Sequence, residues 1–303
     1  MEFIKSETNF DFVGKMKIAI ACSLAVIIIG LASIVWHGGL NYGIDFAGGT
    51  LVQIKFQKEP SADAIRSAFK PIGLENSIIQ SFGANETVIR TAELSSDPKG
   101  LSGKIEEALT AALGKDTFEI RRVEVVGPKV GSDLTKKAIL AIAFSWVGML
   151  IYIAWRFEFR YAVGGILALI HDVLITVGAF SLLNKEFDLQ IVAALLTIIG
   201  YSINDTIVIY DRIRENVRKN VKKSLRDTIN LSVNQTLSRT ILTSLTVLLV
   251  VVILFFFGGA VIHDFAFALL IGVVVGSYST IFIASPIVLS LERIKPSGVK
   301  RSR

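Results

Sequence analysis

Residues 189–210 read LQIVAALLTIIGYSINDTIVIY. A helix needs about 20 mostly apolar residues to cross a bilayer, and this stretch supplies them with a single charge, Asp205. An ionisable residue in a span costs about 2.5–3.5 kcal/mol on insertion scales, so it usually has a task. Thr197, Tyr201, Asn204 and Asp205 follow one another at spacings of 4, 3 and 1. That spacing gathers them on one face of a helix, a polar stripe suited to a bundle interior or a water-filled path. A carboxylate poised between burial, which favours its neutral form, and a nearby cation, which favours its charged form, can load and release a proton. The plain alternative is a snorkelling or hydrogen-bonded aspartate near the helix end.

Working outward, five more stretches are long and apolar enough to span: 18–35, 138–155, 161–183, 240–262 and 265–291. The composition agrees. Hydrophobic residues make up 52% and charged residues 19%, against about 25% charged in soluble domains, and the mean hydropathy is +0.58. A soluble enzyme, a disordered chain and, with Cys22 the only cysteine, a disulfide scaffold are excluded. Span 18–35 exceeds the ~7–15-residue core of a signal peptide, and no small-residue cleavage site follows it. Trp36 and His37 come instead, so a retained anchor is expected.

Lysine and arginine set the orientation. They number 3 in the tail 1–17, 2 at Arg156 and Arg160, 8 in the loop 211–239 and 5 in the tail 292–303. The loops 184–188 and 258–264 carry only Lys185. Both termini are therefore expected in the cytoplasm and block 36–137 outside. The net charge of +6 and pI near 9.3 follow from this asymmetry, and nucleic-acid binding is not expected. In 211–239, Ile213, Val217, Val221 and Leu225 form an apolar row at spacing 4, expected as an amphipathic helix on the inner membrane face.

Block 36–137 reads as a folded α+β domain. Residues 51–57 alternate as a strand with Val52, Ile54 and Phe56 on one face. Ser61 caps a helix over 62–69. Strands 77–82 and 87–91 flank a Gly83-Ala84-Asn85 turn, a helix covers 101–113, and a strand covers 118–126 before Gly127-Pro128. The order βαββαβ predicts a ferredoxin-like sandwich. The fold class is thus an α-helical integral membrane protein with six transmembrane helices and an α+β ferredoxin-like extracytoplasmic domain between the first and second.

No GxxxxGK[ST] loop occurs, and Gly43, Gly48 and Gly49 do not form GxGxxG. No cofactor, no metal and no enzymatic activity are expected, and energy must come from a partner or an ion gradient. Arg239 opens the fifth span and shares a stripe with Thr243 and Thr246 at spacing 4 and 3. An Arg239–Asp205 pair would switch with protonation; a positive-inside anchor is the plain reading of the same arginine. Asp172 and His171 lie mid-span and suit a proton relay. Adjacent helix positions do not face each other, so Asp172 is the helper candidate and His171 a packing residue. Asn204 and Tyr201 are further helpers. His263 and Asp264 are expected in an interfacial loop. Gly272, Gly276 and Thr280 form a small-residue row for close helix packing.

Three stretches together resemble a known family. They are Gly43-Ile44-Asp45-Phe46-Ala47-Gly48-Gly49-Thr50, the run from Gly200 through Asp205 to Asn216, and Ser238-Arg239-Thr240-Ile241-Leu242-Thr243-Ser244. They are similar to the SecD/SecF family, accessory subunits of the bacterial Sec protein translocase within the resistance-nodulation-division superfamily, and specifically to its smaller branch. The glycine-rich stretch is common to both branches; Ala47 is a mild variation in it. The resemblance implies a bacterial inner-membrane protein that pairs with SecD, acts beside the SecYEG channel with YajC and YidC as possible neighbours, and draws on the proton gradient to export unfolded precursors. It implies proton conduction at Asp205 and Arg239, and a structural role for Gly43, Asp45, Gly48 and Gly49. A homo-oligomeric proton-driven exporter and a non-conducting translocon scaffold are the other classes the residues allow.

Overall fold

A computed structural model describes residues 8–58, 60–75, 77–81, 85–91, 98–219 and 223–294. The chain folds into two compact units. One comprises residues 1–41, 140–185 and 190–303; the other comprises 42–139 and 186–189.

The second unit is built on a four-stranded antiparallel sheet in the order β2-β3-β1-β4. The strands are β1 (Gly49–Phe56), β2 (Ile78–Ser81), β3 (Glu86–Thr91) and β4 (Phe118–Val126). The short helix α2 (Ile44–Ala47) precedes β1; α3 (Ala62–Phe69) joins β1 to β2, and α4 (Pro98–Leu113) joins β3 to β4. This is the ferredoxin-like arrangement the strand order predicts. Ser61 caps α3 by accepting from Ala64 N at 3.2 Å. Alternation along β1 sends Val52, Ile54 and Phe56 inward, each no more than 2% exposed. They meet Ile65 and Phe69 of α3 and Leu101, Ile105 and Leu109 of α4 in one apolar core. Such side chains contribute about 1.5–3 kcal/mol each on burial. Asn85 takes positive φ (64°) at the β2–β3 turn; Phe82, Gly83 and Ala84 of the expected hairpin lie outside the described residues.

The other unit is helical. Among the described residues, six helices are long and apolar enough to cross a membrane. They are α1 (Phe12–Trp36), α5 (Pro128–Arg156), α6 (Phe159–Leu182), α7 (Leu189–Lys219), α8 (Leu225–Phe257) and the last span, Val261–Leu291. The last is α9 (Ala260–Ser279), a π-helical turn (Thr280–Ala284) and α10 (Ser285–Ile294). Large apolar side chains cover the outer faces of α1, α5 and α8; Ile28, Phe144 and Leu249 are over half exposed, as a hydrocarbon environment requires.

Several expected boundaries move. The helix that carries the second span starts at Pro128, ten residues before 138. Its first turns hold Lys129, Asp133, Lys136 and Lys137, which lower hydropathy without opposing helix, and proline is favoured at a helix start. Segment 211–239 is not a separate surface helix. It is the continuation of α7 to Lys219 and the first half of α8 from Leu225. The two extensions face each other: Asn216 Nδ2 donates to Ser232 Oγ (2.9 Å) and Gln235 Oε1 (2.8 Å). Of the apolar row, Ile213 is fully buried, as is Ile229 of α8, and Leu225 opens α8 itself; Val221 lies outside the described residues. His263 and Asp264 belong to α9, not to a loop. Asp264 pairs with Lys185 at 2.5 Å.

Candidate functional site

The middle of α7 carries two polar groupings at different angles around the helix. Its buried arc runs through Ile198, Ser202, Thr206 and Ile209, each at most 1% exposed. Asp205 lies at the edge of this arc. It is 3% exposed, and its Oδ2 has no hydrogen-bond partner among the described residues. Its polar neighbours on α8 are the Arg239 guanidinium and the Thr243 hydroxyl.

The expected stripe is divided. Tyr201 is half-buried and donates to Ser244 Oγ of α8 at 3.0 Å. Ser244 and Ser277 hydroxyls meet at 2.6 Å, so this row joins α7, α8 and α9. Thr197 and Asn204 point outward and are exposed. The four residues therefore do not share an inward face; Asp205 alone is buried. The sector between Thr197 and Asn204 lies about 145° of helix rotation from the arc centre, since each residue turns the chain by about 100°.

Arg239 is exposed and lies midway along the unbroken α8 rather than at a helix start. Among the described residues no ion pair within 4.0 Å joins it to Asp205. The expected direct pair is absent: the exposed Arg239 guanidinium is a neighbour of Asp205 without reaching it. The Thr243 and Thr246 hydroxyls bond back to carbonyls of their own helix, Thr243 to Arg239 O at 3.0 Å and Thr246 to Thr243 O at 2.8 Å.

Asp172 is the most enclosed carboxylate of the helical unit, at 0% exposure. Ser202 Oγ of α7 donates to its Oδ2 at 2.7 Å and Ser279 Oγ of α9 at 2.9 Å. His171 Nδ1 lies 3.0 Å from Oδ1. Adjacent helix positions do meet here, because the two side chains fold back on each other at the α6–α9 contact. Below them the Thr206 and Thr280 hydroxyls meet at 3.0 Å, where the π turn begins. The small-residue row performs the expected packing: a Cβ at Gly276 would lie 3.1 Å from Ser202 Cβ.

The glycine-rich stretch builds a clamp inside the ferredoxin-like unit. Gly48 and Gly49 hold φ of 76° and 128°, which favour glycine, and a Cβ at Gly48 would lie 3.2 Å from Pro128 Cα. Gly43 N donates to Phe187 O at 2.9 Å, and a Cβ there would crowd Glu186. Asp45 Oδ2 accepts from Leu189 N at 3.0 Å, so it satisfies an amide at the start of α7. Arg90 of β3 pairs with Glu186, both side chains 10% exposed. Segment 186–189, expected as the end of the loop 184–188 and the first residue of the fourth span, is thereby built into this unit.

The hydroxyl contacts of Ser202, Ser279, Thr206, Ser244 and Ser277 escape sequence reasoning, and Thr280 is legible only as a member of the packing row. A serine in an apolar helix bonds its own i−4 carbonyl as readily as a neighbour, so its direction is not legible. The one available signal is the i, i+4 spacing of Ser202 and Thr206 opposite a small-residue row. Among the described residues no cluster of three or more His, Cys, Asp or Glu could hold a metal.

Known proteins share this design. Residues 105–294 match the family "Protein export membrane protein SecD/SecF, C-terminal", and 34–60 match the SecD/SecF GG motif. The chain is 50% identical to the protein translocase subunit SecF of Magnetococcus marinus over 296 residues, covering 96% of this chain and 95% of that one. It is 45% identical to SecF of Calditerrivibrio nitroreducens, over 97% of this chain and 98% of that one. The crystal structure of SecDF, a translocon-associated membrane protein of Thermus thermophilus, superposes with a TM-score of 0.87 at 35% identity. That match covers 96% of this chain and 40% of the SecDF chain. On this identity, maintained over nearly the full length of its relatives, the chain belongs to the SecF family of protein translocase subunits.

Proposed function

We propose that this subunit pairs with SecD and uses the proton gradient to promote export of unfolded precursor proteins through the SecYEG channel, with Asp205 as the proton carrier and Arg239 as the cation that answers it. YajC and YidC are further candidate neighbours. The subunit acts in transport rather than as an enzyme, in the bacterial inner membrane, with both termini cytoplasmic and the ferredoxin-like domain outside. The observation that carries the reading is Asp205 itself, a buried carboxylate within a span with one oxygen lacking a partner.

A buried carboxylate with an unmet oxygen is costly while charged and far less so when protonated. Protonation therefore changes which partner Asp205 takes. The exposed Thr197–Asn204 sector beside it supports a facing helix from a second subunit, since polar side chains toward lipid are unfavourable. One charge moved through 100 mV releases about 2.3 kcal/mol, enough to bias a two-state element. Several protons per cycle, or a ratchet on thermal motion, are needed to move a polypeptide far.

The test uses Asp205→Asn in membrane vesicles that contain SecD and the channel. A secreted precursor is followed after ATP-driven entry stalls, with and without an imposed proton gradient. The expected outcome is a variant that assembles normally and loses only the gradient-dependent completion. Completion that responds to the gradient as in wild type removes Asp205 from the proton path and favours the scaffold reading.

A further inference from the structure

Asp172 and His171 form the second place in the helical unit where a proton can be held, and the Asp205 reading does not use them. No lysine or arginine lies within the six apolar stretches read from the sequence, the opening Arg239 of α8's apolar half standing just outside its stretch. Among the described residues the titratable cation that faces Asp172 is therefore His171, on its own helix. From α7 it meets Ser202, with Asp205 three residues further along that helix. From α9 it meets Ser279, and Tyr278 stacks on the imidazole with ring centroids 6.1 Å apart. The Tyr278 hydroxyl is committed to Ala19 O at 2.7 Å and accepts from Ser23 at 3.1 Å. The α1 stretch 18–35 and residues 285–291 of α10 contribute no charged side chain.

This enclosure dictates the proton count. An isolated buried charge is strongly disfavoured, so a carboxylate here needs a compensating proton nearby. His171 Nδ1 and Asp172 Oδ1 stand 3.0 Å apart, a distance at which the two share one proton. The other ring nitrogen, Nε2, is buried with no partner among the described residues, which is rare for a buried polar atom and calls for a reason.

We propose that the His171–Asp172 pair is a second proton-binding station of the membrane domain, with His171 Nε2 as its port. A proton taken up at Nε2 converts neutral imidazole beside carboxylate into imidazolium beside carboxylate. Transfer of the Nδ1 proton to Oδ1 then yields neutral imidazole, with its proton on Nε2, beside neutral carboxylic acid. Release from Nε2, with the Oδ1 proton returning to Nδ1, restores the start. No atom is gained or lost beyond the one proton. Ser202 and Ser279 donate to Oδ2 throughout, but hydrogen bonds to an ionised acceptor are roughly twice as strong as neutral ones. Proton uptake therefore loosens the hold of α6 on α7 and α9 together. For its place in transport the station rests on the proton-coupled reading above; its protonation does not.

The chain contains three histidines, so nitrogen NMR of the full chain in lipid vesicles, labelled with 15N-histidine, can isolate His171 by His37→Gln and His263→Gln. The expected result is a His171 signal that moves as the pH is varied, reporting proton uptake at the ring. The movement persists in Asp205→Asn and is lost or displaced in Asp172→Asn, an isostere that retains an acceptor for both serines. A signal that stays fixed, or that moves identically in Asp172→Asn, overturns the proposal. In the vesicle assay Asp172→Asn is expected to lose gradient-dependent completion, and unchanged completion overturns the station's part in transport. Loss in Asp172→Asn with none in Asp205→Asn would sink the Asp205 reading and leave this one standing.

Discussion

Asp45 and Asp205 are each a single carboxylate whose value comes from where the backbone places it. Asp45 occupies the first turn of a four-residue helix, yet its partner is Leu189 N, 144 positions away. An acceptor at a helix start contributes about 0.5–2 kcal/mol. Asp45→Ala is therefore expected to lower the thermal midpoint of the purified full-length protein, and Asp45→Asn to recover part of it through its amide oxygen. Equal midpoints for Asp45→Ala and wild type would mean that the bond contributes nothing. Asp205 was legible because a charge in an apolar run stands out. The direction of Arg239 was not, since spacing orders residues around one helix and leaves open how two helices are rotated against each other.

Helices here run longer than their apolar portions, and that explains where sequence and structure part. Hydropathy finds the bilayer-crossing part of α5, α7 and α8. It overlooks the polar turns at 128–137, 211–219 and 225–239, which helix propensity and Asn216-type contacts sustain. The ferredoxin-like unit was readable in order because its strands alternate and its helices cap and stop at recognisable residues. Contacts between spans were readable only where small residues signalled them, and even there one pair was missed. Gly30 of α1 meets Gly178 of α6 so closely that a Cβ at Gly30 would lie 2.8 Å from Gly178 Cα. Overpacking such a contact costs typically about 1–3 kcal/mol. Gly30→Leu is expected to lower the melting temperature and to expose α1 to proteolysis in membranes. A variant as resistant as wild type would mean that α1 can pack elsewhere.

At the scale of the whole molecule, the charge asymmetry makes a claim that the helices by themselves cannot check. Cys22 is the only cysteine, so Cys22→Ser gives a background without reactive thiols. Ser67→Cys then reports on the ferredoxin-like domain and Lys223→Cys on the α7–α8 turn, both exposed positions. An impermeant maleimide is expected to label Ser67→Cys in right-side-out vesicles and Lys223→Cys in inverted ones. Labelling of both from one side would overturn the six-span topology; the reverse pattern would invert it. Domain, spans and carboxylates thus pose separate questions, and each can be answered without the others.

The π turn at Thr280–Ala284 has a mechanical meaning for the last span. A turn closed by i→i+5 bonds holds one residue more than the helix around it, so α9 and α10 are out of phase by about 100°. Such a surplus residue behaves like a dislocation in a crystal: it can move along the rod while the rod stays whole. Here it is pinned, because Ser285 Oγ donates to Thr280 O, five residues back, at 3.0 Å. If the pin slips by one position, every side chain it passes turns to a new face. The last span can thereby re-aim Ser279 and Thr280, the two hydroxyls it lends to the buried network, without unfolding.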